Sequence, residues 1–458
     1  MVGDRRARYA PDVRWSPTHT GRGGMMRGNQ SSWVKLASVG FALLALGGCA
    51  SPARTPSAAP APAASVSQSS PSWKVKTIGP DDFGGPAFSW PGGLAWIDNR
   101  YEEGYFRLLT DSSGQVSTLC TIPVYATDYD AAWVGGRFYW LRSTDLSDFE
   151  DGTKDVHVRT DVLTMAPTET TPTILVTAFE IDSLRVAGSR LVWLERKKAS
   201  KARSAMTMTT SGAAASSIPG FGSAAADFEL SETLLVWAPR KGSGTVHVLS
   251  IDPGGRLSAT PTILPAGSAS GAVYQGESLS LDGSRVAWSS RSSKPQWHVY
   301  TWRLGDARPQ RISTQPSERP TGLEDELDKA SSGLVTPFVT GDRVSWRSWR
   351  GSTRAVLTWN SGESSPTTLA TYQRPRYVVL TAGSSERIAW VVEWAVGVTE
   401  DPRAPDIYTW KPGELAPTVV ASSQSPDTFT ESLSVLADRI AFAGGEDFEG
   451  MHVATLGK

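Results

Sequence analysis

The stretch Ser278-Leu-Ser-Leu-Asp-Gly-Ser-Arg-Val-Ala-Trp288 is followed by His298-Val-Tyr-Thr-Trp302 and Gln310-Arg-Ile-Ser-Thr314. In each run, apolar, β-branched or aromatic residues alternate with polar ones, as half-buried strands require. Asp282-Gly283 and Gly305 supply tight turns between the runs. The stretch therefore predicts four consecutive strands, which we label A (278–281), B (285–288), C (298–302) and D (310–314).

The strand B segment recurs eight times along the chain. Each copy has Arg or another residue, two apolar or small residues, and then an aromatic residue, which is Trp in seven copies. The copies are Gly93-Leu-Ala-Trp96, Arg137-Phe-Tyr-Trp140, Arg190-Leu-Val-Trp193, Leu234-Leu-Val-Trp237, Arg285-Val-Ala-Trp288, Arg343-Val-Ser-Trp346, Arg387-Ile-Ala-Trp390 and Arg439-Ile-Ala-Phe442. Their aromatic residues are 44, 53, 44, 51, 58, 44 and 52 residues apart. Four-stranded units at such spacing are typical of β-propeller blades. We predict an all-β propeller of eight blades, with seven as the alternative.

The last copy contains strands A (432–436), B (439–442) and C (452–456) but no strand D. By contrast, Trp73-Lys-Val-Lys-Thr-Ile78 has the pattern of a strand D with no strands A to C before it. We therefore predict that this N-terminal strand completes the last blade, which closes the ring and removes an exposed sheet edge. The propeller is expected to span residues 73–458.

The runs Gly283-Ser-Arg-Val-Ala-Trp288 and His298-Val-Tyr-Thr-Trp302 resemble the repeat of TolB-like propellers, also called the WD-repeat-like repeat. The resemblance covers residues 75–458 and implies a fold, not an activity. The Pro-Asp-Gly turn that is usual after strand A in that family is mostly absent here. Its nearest counterparts are Asp282-Gly283-Ser284 and Gly341-Asp342-Arg343.

The N-terminal region predicts a targeting segment. An uncharged, mostly apolar run, Leu36–Leu46, follows Arg27 and Lys35 and leads to Gly47-Gly48-Cys49. Eleven residues are too few to span a bilayer, which needs about 20, and the arrangement is typical of a secretory signal peptide. A Cys directly after Leu-Gly-Gly resembles the bacterial lipobox, which implies that Cys49 is lipidated and becomes the mature N-terminus. A plain secretory signal or a core helix is the alternative.

Residues 1–48 are thus predicted to be an upstream extension and a lipoprotein signal peptide, with Met25 or Met26 as the more natural start. Residues 49–72 are predicted to be the lipidated cysteine and a disordered tether. From Ala50 to Ser72 the chain is almost entirely Ala, Pro and Ser, a composition that cannot offset its ordering entropy. Only two cysteines are present, which excludes a disulfide framework.

The longer connections predict where a partner would bind. In an antiparallel blade the B–C and D–A connections share one face of the disc, and the long segments here are of those two kinds. Loops on a rigid scaffold often carry function. The candidate binding residues on this face are Asp148, Glu150, Asp151, Lys197, Lys198, Trp349 and Trp394.

A face of mixed charge suits a protein, peptide or envelope glycan, and a formal net charge of −1 argues against a nucleic-acid partner. We therefore expect a monomeric, lipid-anchored, extracytoplasmic binding scaffold. The alternative is a polysaccharide lyase or glycoside hydrolase that uses carboxylates on this face. No Gly-rich phosphate loop or Gly-x-Ser-x-Gly elbow is found, and we predict no catalytic residue, cofactor or metal.

Four histidines precede a Val in a predicted strand C and are expected at one repeat position, dispersed around the ring. They are His157, His247, His298 and His452. The aromatic residues that end the strand B copies are expected to form the core between blades.

Overall fold

A computed structural model of the chain describes residues 73–456, with internal gaps. The gaps are residues 80–83, 91, 101–102, 111–114, 124–130, 146–157, 197–202, 219, 222–224, 240–244, 266–278, 294–295, 319–336, 374–375, 385, 395–404, 424–428 and 446–449. The predicted signal peptide, Cys49 and the tether lie outside the described residues. Every regular element in the described part is a β-strand, and this part contains no helix long and apolar enough to cross a membrane.

The strands form eight antiparallel sheets of four strands each, and blade 5 has one additional short strand. The strands of blades 1 to 4, in order A to D, are β2 Gly84–Trp90, β3 Gly93–Arg100, β4 Glu103–Thr110, β5 Val116–Pro123; β6 Ala131–Val134, β7 Arg137–Asp145, β8 Val158–Met165, β9 Thr173–Ala178; β10 Ile181–Ala187, β11 Arg190–Arg196, β12 Arg203–Thr209, β13 Ser216–Ser217; β14 Ala225–Leu230, β15 Leu234–Pro239, β16 Thr245–Ser250 and β17 Thr262–Pro265.

Blades 5 to 8 continue the same meander. Their strands are β18 Leu279–Asp282, β19 Arg285–Ser293, β20 Gln296–Arg303, β21 Gln310–Arg311, with β22 Ser317–Glu318 also paired to β20; β23 Pro337–Thr340, β24 Arg343–Arg350, β25 Thr353–Asn360, β26 Thr367–Gln373; β27 Arg376–Gly383, β28 Ile388–Trp394, β29 Asp406–Trp410, β30 Thr418–Ser422; β31 Phe429–Val435, β32 Arg439–Gly445, β33 Gly450–Leu456 and β1 Trp73–Gly79. The eight-bladed propeller is confirmed, and the seven-bladed alternative is wrong.

The N-terminal strand closes the ring, as predicted. Strand β1 pairs antiparallel with β33, and the register runs from Trp73 opposite Leu456 to Thr77 opposite His452. The imidazole Nδ1 of His452 lies 3.1 Å from the hydroxyl of Thr77. Blade 8 is therefore built from both ends of the described chain.

The strand B aromatic residues form the core between sheets, which confirms that prediction. All eight are buried. Trp288 of blade 5, for example, belongs to one cluster with Val236 and Val248 of blade 4, while the neighbouring Ala287 packs with Val344 of blade 6. Successive residues of strand B thus face opposite neighbours, so each sheet is buried on both sides.

The arginine that opens most strand B copies is tied to strand C of its own blade. In five blades its guanidinium donates a hydrogen bond to a threonine hydroxyl. The pairs are Arg137–Thr164 at 3.2 Å, Arg190–Thr207 at 2.7 Å, Arg285–Thr301 at 3.5 Å, Arg343–Thr358 at 3.2 Å and Arg387–Thr409 at 3.4 Å. Except for Thr358, each of these threonines donates in turn to the carbonyl of the residue that follows the arginine. The motif therefore joins strands B and C through side chains as well as backbone.

The C–D turns of blades 5, 6 and 7 are closed by an acidic residue. In Lys411-Pro-Gly-Glu414 the carboxylate of Glu414 accepts the N–H of Lys411 at 2.8 Å, and its carbonyl accepts the indole N–H of Trp410 at 3.0 Å. Gly413 has φ of 94°, a conformation that L-residues rarely adopt. The turns at Asp306 and Glu363 repeat this arrangement, which keeps this face of the disc compact.

Replacing Trp288 by Ala is expected to lower the free energy of unfolding by about 3–5 kcal/mol, because it leaves a cavity between blades. Urea unfolding followed by fluorescence measures the change. Leu415→Ala is the control, because Leu415 is 97% exposed and its loss should change stability by less than about 0.5 kcal/mol. Equal effects of the two substitutions would contradict the assignment of the strand B aromatic residues to the core.

Candidate functional site

The candidate site is the face on which the B–C and D–A connections emerge, and we call it the loop-rich face. Five of the predicted binding residues belong to connections outside the described residues, and their assignment stays a prediction. They are Asp148, Glu150, Asp151, Lys197 and Lys198. The strand ends on either side of these connections are described, and they show from which blade each connection starts.

In blade 2 a buried ion cluster joins the strands close to the acidic connection. Asp161 in strand C is buried, and its carboxylate lies 2.6 Å from the guanidinium of Arg142 in strand B and 3.4 Å from that of Arg159. The hydroxyl of Thr177 in strand D donates to the same carboxylate at 2.7 Å. Burial acts to raise the pKa of Asp161, but the hydrogen bonds from Arg142 and Thr177 and the two nearby positive charges lower it overall.

In blade 3 a second ion pair lies at the end of strand B, where the basic connection begins. The guanidinium of Arg196, the last residue of β11, lies 3.0 Å from the carboxylate of Glu180. The backbone N–H of Arg196 also donates to the Glu180 carbonyl at 2.9 Å. Glu180 has φ of 54° and is, among the described residues, the one residue other than glycine with a positive φ. Such a conformation is costly and persists only where surrounding contacts impose it.

Blades 2 and 3 are neighbours in the ring. The acidic segment begins after Asp145 and ends before Val158, and the basic segment begins after Arg196 and ends before Arg203. The strand ends that flank the two segments therefore belong to adjacent blades and to the same face, although the segments are about 50 residues apart in sequence.

The structure places Trp349 differently from what was expected of a surface contact. Strand B of blade 6 extends to Arg350, and Gly351-Ser352 alone form its turn to strand C. Trp349 is 3% exposed, and the guanidinium carbon of Arg354 lies 4.9 Å from the centroid of its ring. Its backbone N–H donates to the hydroxyl of Ser317 at 2.9 Å. Trp349 therefore packs within the blade and does not present its ring on the face. Trp394 ends strand β28, opposite Arg376.

A polar aromatic cluster between blades 6 and 7 was not foreseen from the sequence. The indole N–H of Trp390 donates to the hydroxyl of Tyr372 at 2.8 Å. The carboxylate of Asp406 accepts hydrogen bonds from the hydroxyls of Tyr408 at 3.1 Å and Ser422 at 2.6 Å. Burial raises the pKa of both tyrosines. Alternation in Asp406-Ile-Tyr408 places those two side chains together, but the contact with Tyr372 crosses between blades.

The histidines are dispersed over blades 4, 5 and 8, as expected, and His157 lies outside the described residues. The prediction that they share one repeat position is wrong. His247 and His452 pair with the strand B aromatic residues Trp237 and Phe442, whereas His298 pairs with Ser290. The reason is that strand B of blade 5 runs on to Ser293, which shifts strand C. Within the described ranges no cluster of three or more potential metal ligands is found.

The chain defines an eight-bladed β-propeller, and comparison with known proteins agrees on the fold. No family model and no curated protein matches it. Among solved structures, it is similar to a prolyl endopeptidase with 12% identity and a TM-score of 0.50, covering 80% of this chain and 55% of that one. A post-proline cleaving enzyme from Rickettsia typhi has 9% identity and a TM-score of 0.48, covering 80% and 57%. The propeller domain of the Trilobed protease from Pyrococcus furiosus has 12% identity and a TM-score of 0.42, covering 75% and 99%.

Replacing Asp161 by Asn is expected to lower the free energy of unfolding at pH 7 by about 1–3 kcal/mol, because the arginines lose their buried counter-charge. The pKa of Asp161 is lowered in the folded state, so its contribution is present above the unfolded value of 3.8 and is lost as pH falls through the folded pKa. Urea unfolding at neutral pH and below pH ~3 should show the difference from wild type shrinking in acid. Glu386→Gln is the control, because Glu386 lies in an exposed turn on the opposite face. It should change the unfolding free energy neither at neutral pH nor in acid. If the effect of Asp161→Asn is no larger than that of this control, Asp161 does not have the stabilising role assigned to it.

Burial lowers the pKa of His247, and burial together with the charge of Arg311 lowers that of His298, from a usual value of 6.5. In the pH window between the folded and the unfolded pKa, the unfolded chain binds more protons. Stability therefore falls as pH drops through this window. We expect His298→Gln to reduce the slope of unfolding free energy against pH between about pH 5 and 7. An unchanged slope would contradict a neutral, buried His298.

Proposed function

We propose that this chain is a lipid-anchored, extracytoplasmic propeller of the bacterial envelope that binds a protein partner through its loop-rich face. The observation that carries the proposal is that the strand ends flanking the acidic segment and those flanking the basic segment belong to adjacent blades. Asp148, Glu150 and Asp151 belong to the first segment, and Lys197 and Lys198 to the second. A pair of oppositely charged segments would recognise a partner that carries complementary charges of both signs. Such complementarity governs the partner's orientation and its association rate.

The rigid part of the blade supports this assignment. The Arg142–Asp161 pair joins strands B and C of blade 2 close to the acidic connection, and the Arg196–Glu180 pair holds the end of strand B where the basic connection begins. A connection whose two ends are held loses less entropy when it binds. The ion pairs therefore suit a face that presents its charges to a partner.

Attachment to a membrane is the second part of the proposal and rests on the sequence. The segment from Cys49 to Ser72 leads directly into the closing strand β1. Lipidation at Cys49 would tether the disc at the edge of blade 8. Bacterial lipoproteins carry several acyl chains, and more than one chain is needed for stable binding to a bilayer.

A glycan-cleaving enzyme is the rival class. A general acid in such an enzyme has a raised pKa. Asp161 has a lowered one and is held by arginines, which suits an anchor. Glu180 is likewise held by Arg196. Neither of these two carboxylates therefore suits the general acid of a lyase or hydrolase.

Proximity cross-linking in the native envelope, followed by mass spectrometry, tests the proposal. The wild-type chain should enrich an envelope protein over the Cys49→Ala variant, which cannot be lipidated. If nothing is enriched and the purified protein cleaves a polysaccharide, the binding function is wrong. If a glycan is retained without being cleaved, the partner class is wrong.

Reversing Lys197 and Lys198 to Glu is expected to weaken capture of the partner by about tenfold or more, because the basic half of the charge pattern is lost. The matched control reverses Arg308 and Lys411 to Glu, which places the same charge change on exposed C–D turns of the opposite face. Binding is measured with the partner recovered by cross-linking, at low and high salt. Equal losses in both double variants would place the interface elsewhere.

A further inference from the structure

The arginines of the repeat contact the next blade as well as their own. In blades 5, 6 and 7 the guanidinium carbon lies over an indole ring of the following blade. The distances to the ring centroids are 5.8 Å for Arg285 and Trp359, 5.3 Å for Arg343 and Trp410, and 5.2 Å for Arg387 and Trp73. Cation–π contacts of this kind become stronger when they are shielded from water. One side-chain contact therefore recurs across three consecutive interfaces.

The receiving ring comes from a different strand at the third interface. Trp359 and Trp410 belong to strand C, where they pair with the residue after the arginine, Val344 and Ile388. In blade 8 the corresponding position, opposite Ile440, is Ala454. Trp73 packs into the same apolar cluster as the small Ala454. The closing strand thus supplies the aromatic ring that strand C of blade 8 lacks.

Several contacts direct Arg387 toward the interface between blades 7 and 8. It is 2% exposed. Its Nε donates to the carbonyl of Ala437 in blade 8 at 2.9 Å, and its terminal nitrogens lie 3.4 Å from the hydroxyl of Thr409 and from the carboxylate of Glu414. A buried guanidinium held in this way has little freedom to find another acceptor if Trp73 leaves.

We propose that Trp73 is the latch of the ring, so that docking of the N-terminal strand and completion of the arginine contacts are a single event. Strand β1 can then separate from β33 without unfolding of the other blades. When the indole ring is absent, blade 8 opens at the β1–β33 ladder while blades 1 to 7 keep their sheets. This role is independent of which partner the loop-rich face binds and of whether Cys49 is lipidated.

Hydrogen exchange of the folded protein tests the latch. In Trp73→Ala the amides of β1 and β33 should exchange about tenfold faster or more, and those of blades 2 to 4 should be unchanged. Val75→Ala is the matched control, because Val75 lies two residues further along the same side of β1 and is 44% exposed. If both variants behave alike, Trp73 is not a latch.

A rescue variant separates the latch from a general loss of packing. Combining Trp73→Ala with Ala454→Trp moves the ring to the position that Trp359 and Trp410 occupy in their blades. Exchange in β33 should then return to within a few-fold of wild type. Exchange that stays fast would overturn the proposal.

Milder substitutions keep the question open to test if Trp73→Ala does not fold. Trp73→Phe retains a ring for Arg387, whereas Trp73→Leu retains only apolar volume. The amides of β1 and β33 should exchange faster in the Leu variant than in the Phe variant, because only an aromatic ring attracts the guanidinium of Arg387. Equal rates would mean that apolar volume alone closes the ring.

Discussion

The structure depends on one constraint: each sheet is apolar on both faces and must be covered on both. Strand B meets this requirement by alternation, since Trp288 faces blade 4 while Ala287 faces blade 6. An open row of such sheets would expose one apolar face at each end. A closed ring covers every face, and the contact of blade 8 with blade 1 is made by Ala441 and Ala443 against Leu94 and Trp96. Closure therefore follows from the same burial that stabilises each interface.

Polar side chains reinforce this packing and divide the disc into two unlike faces. On the side of the short turns, arginines, threonines and turn carboxylates such as Glu414 link strands and blades. Toward the loop-rich face, ion pairs such as Arg142–Asp161 join the strands of one blade near the start of a connection. The first face is thus occupied with stabilising the ring, and the second is the face to which we propose that a partner binds.

Much of the fold could be predicted from the sequence because its signals are local and repeated. The eight strand B copies predict the number of blades and the core position of their aromatic residues, such as Trp96 and Trp390. The pattern of residues 73–78 predicts their pairing with β33. Errors arose where a hairpin length differs between blades. The two-residue turn after Arg350 draws Trp349 into the sheet, and the longer strand B of blade 5 moves His298 away from the position of His452.

The sequence by itself determined the repeat, the blade count, the strand that closes the ring and the charges of the long connections, because strand alternation and turn residues act over a few positions. Only the tertiary structure decided which distant residues meet. The ion pair that holds Asp161, the contact of Tyr372 with Trp390 and the stacking of Arg387 on Trp73 each join separate strands. Their partners depend on ladder register and on the rotation between sheets, and neither quantity is encoded within any single segment.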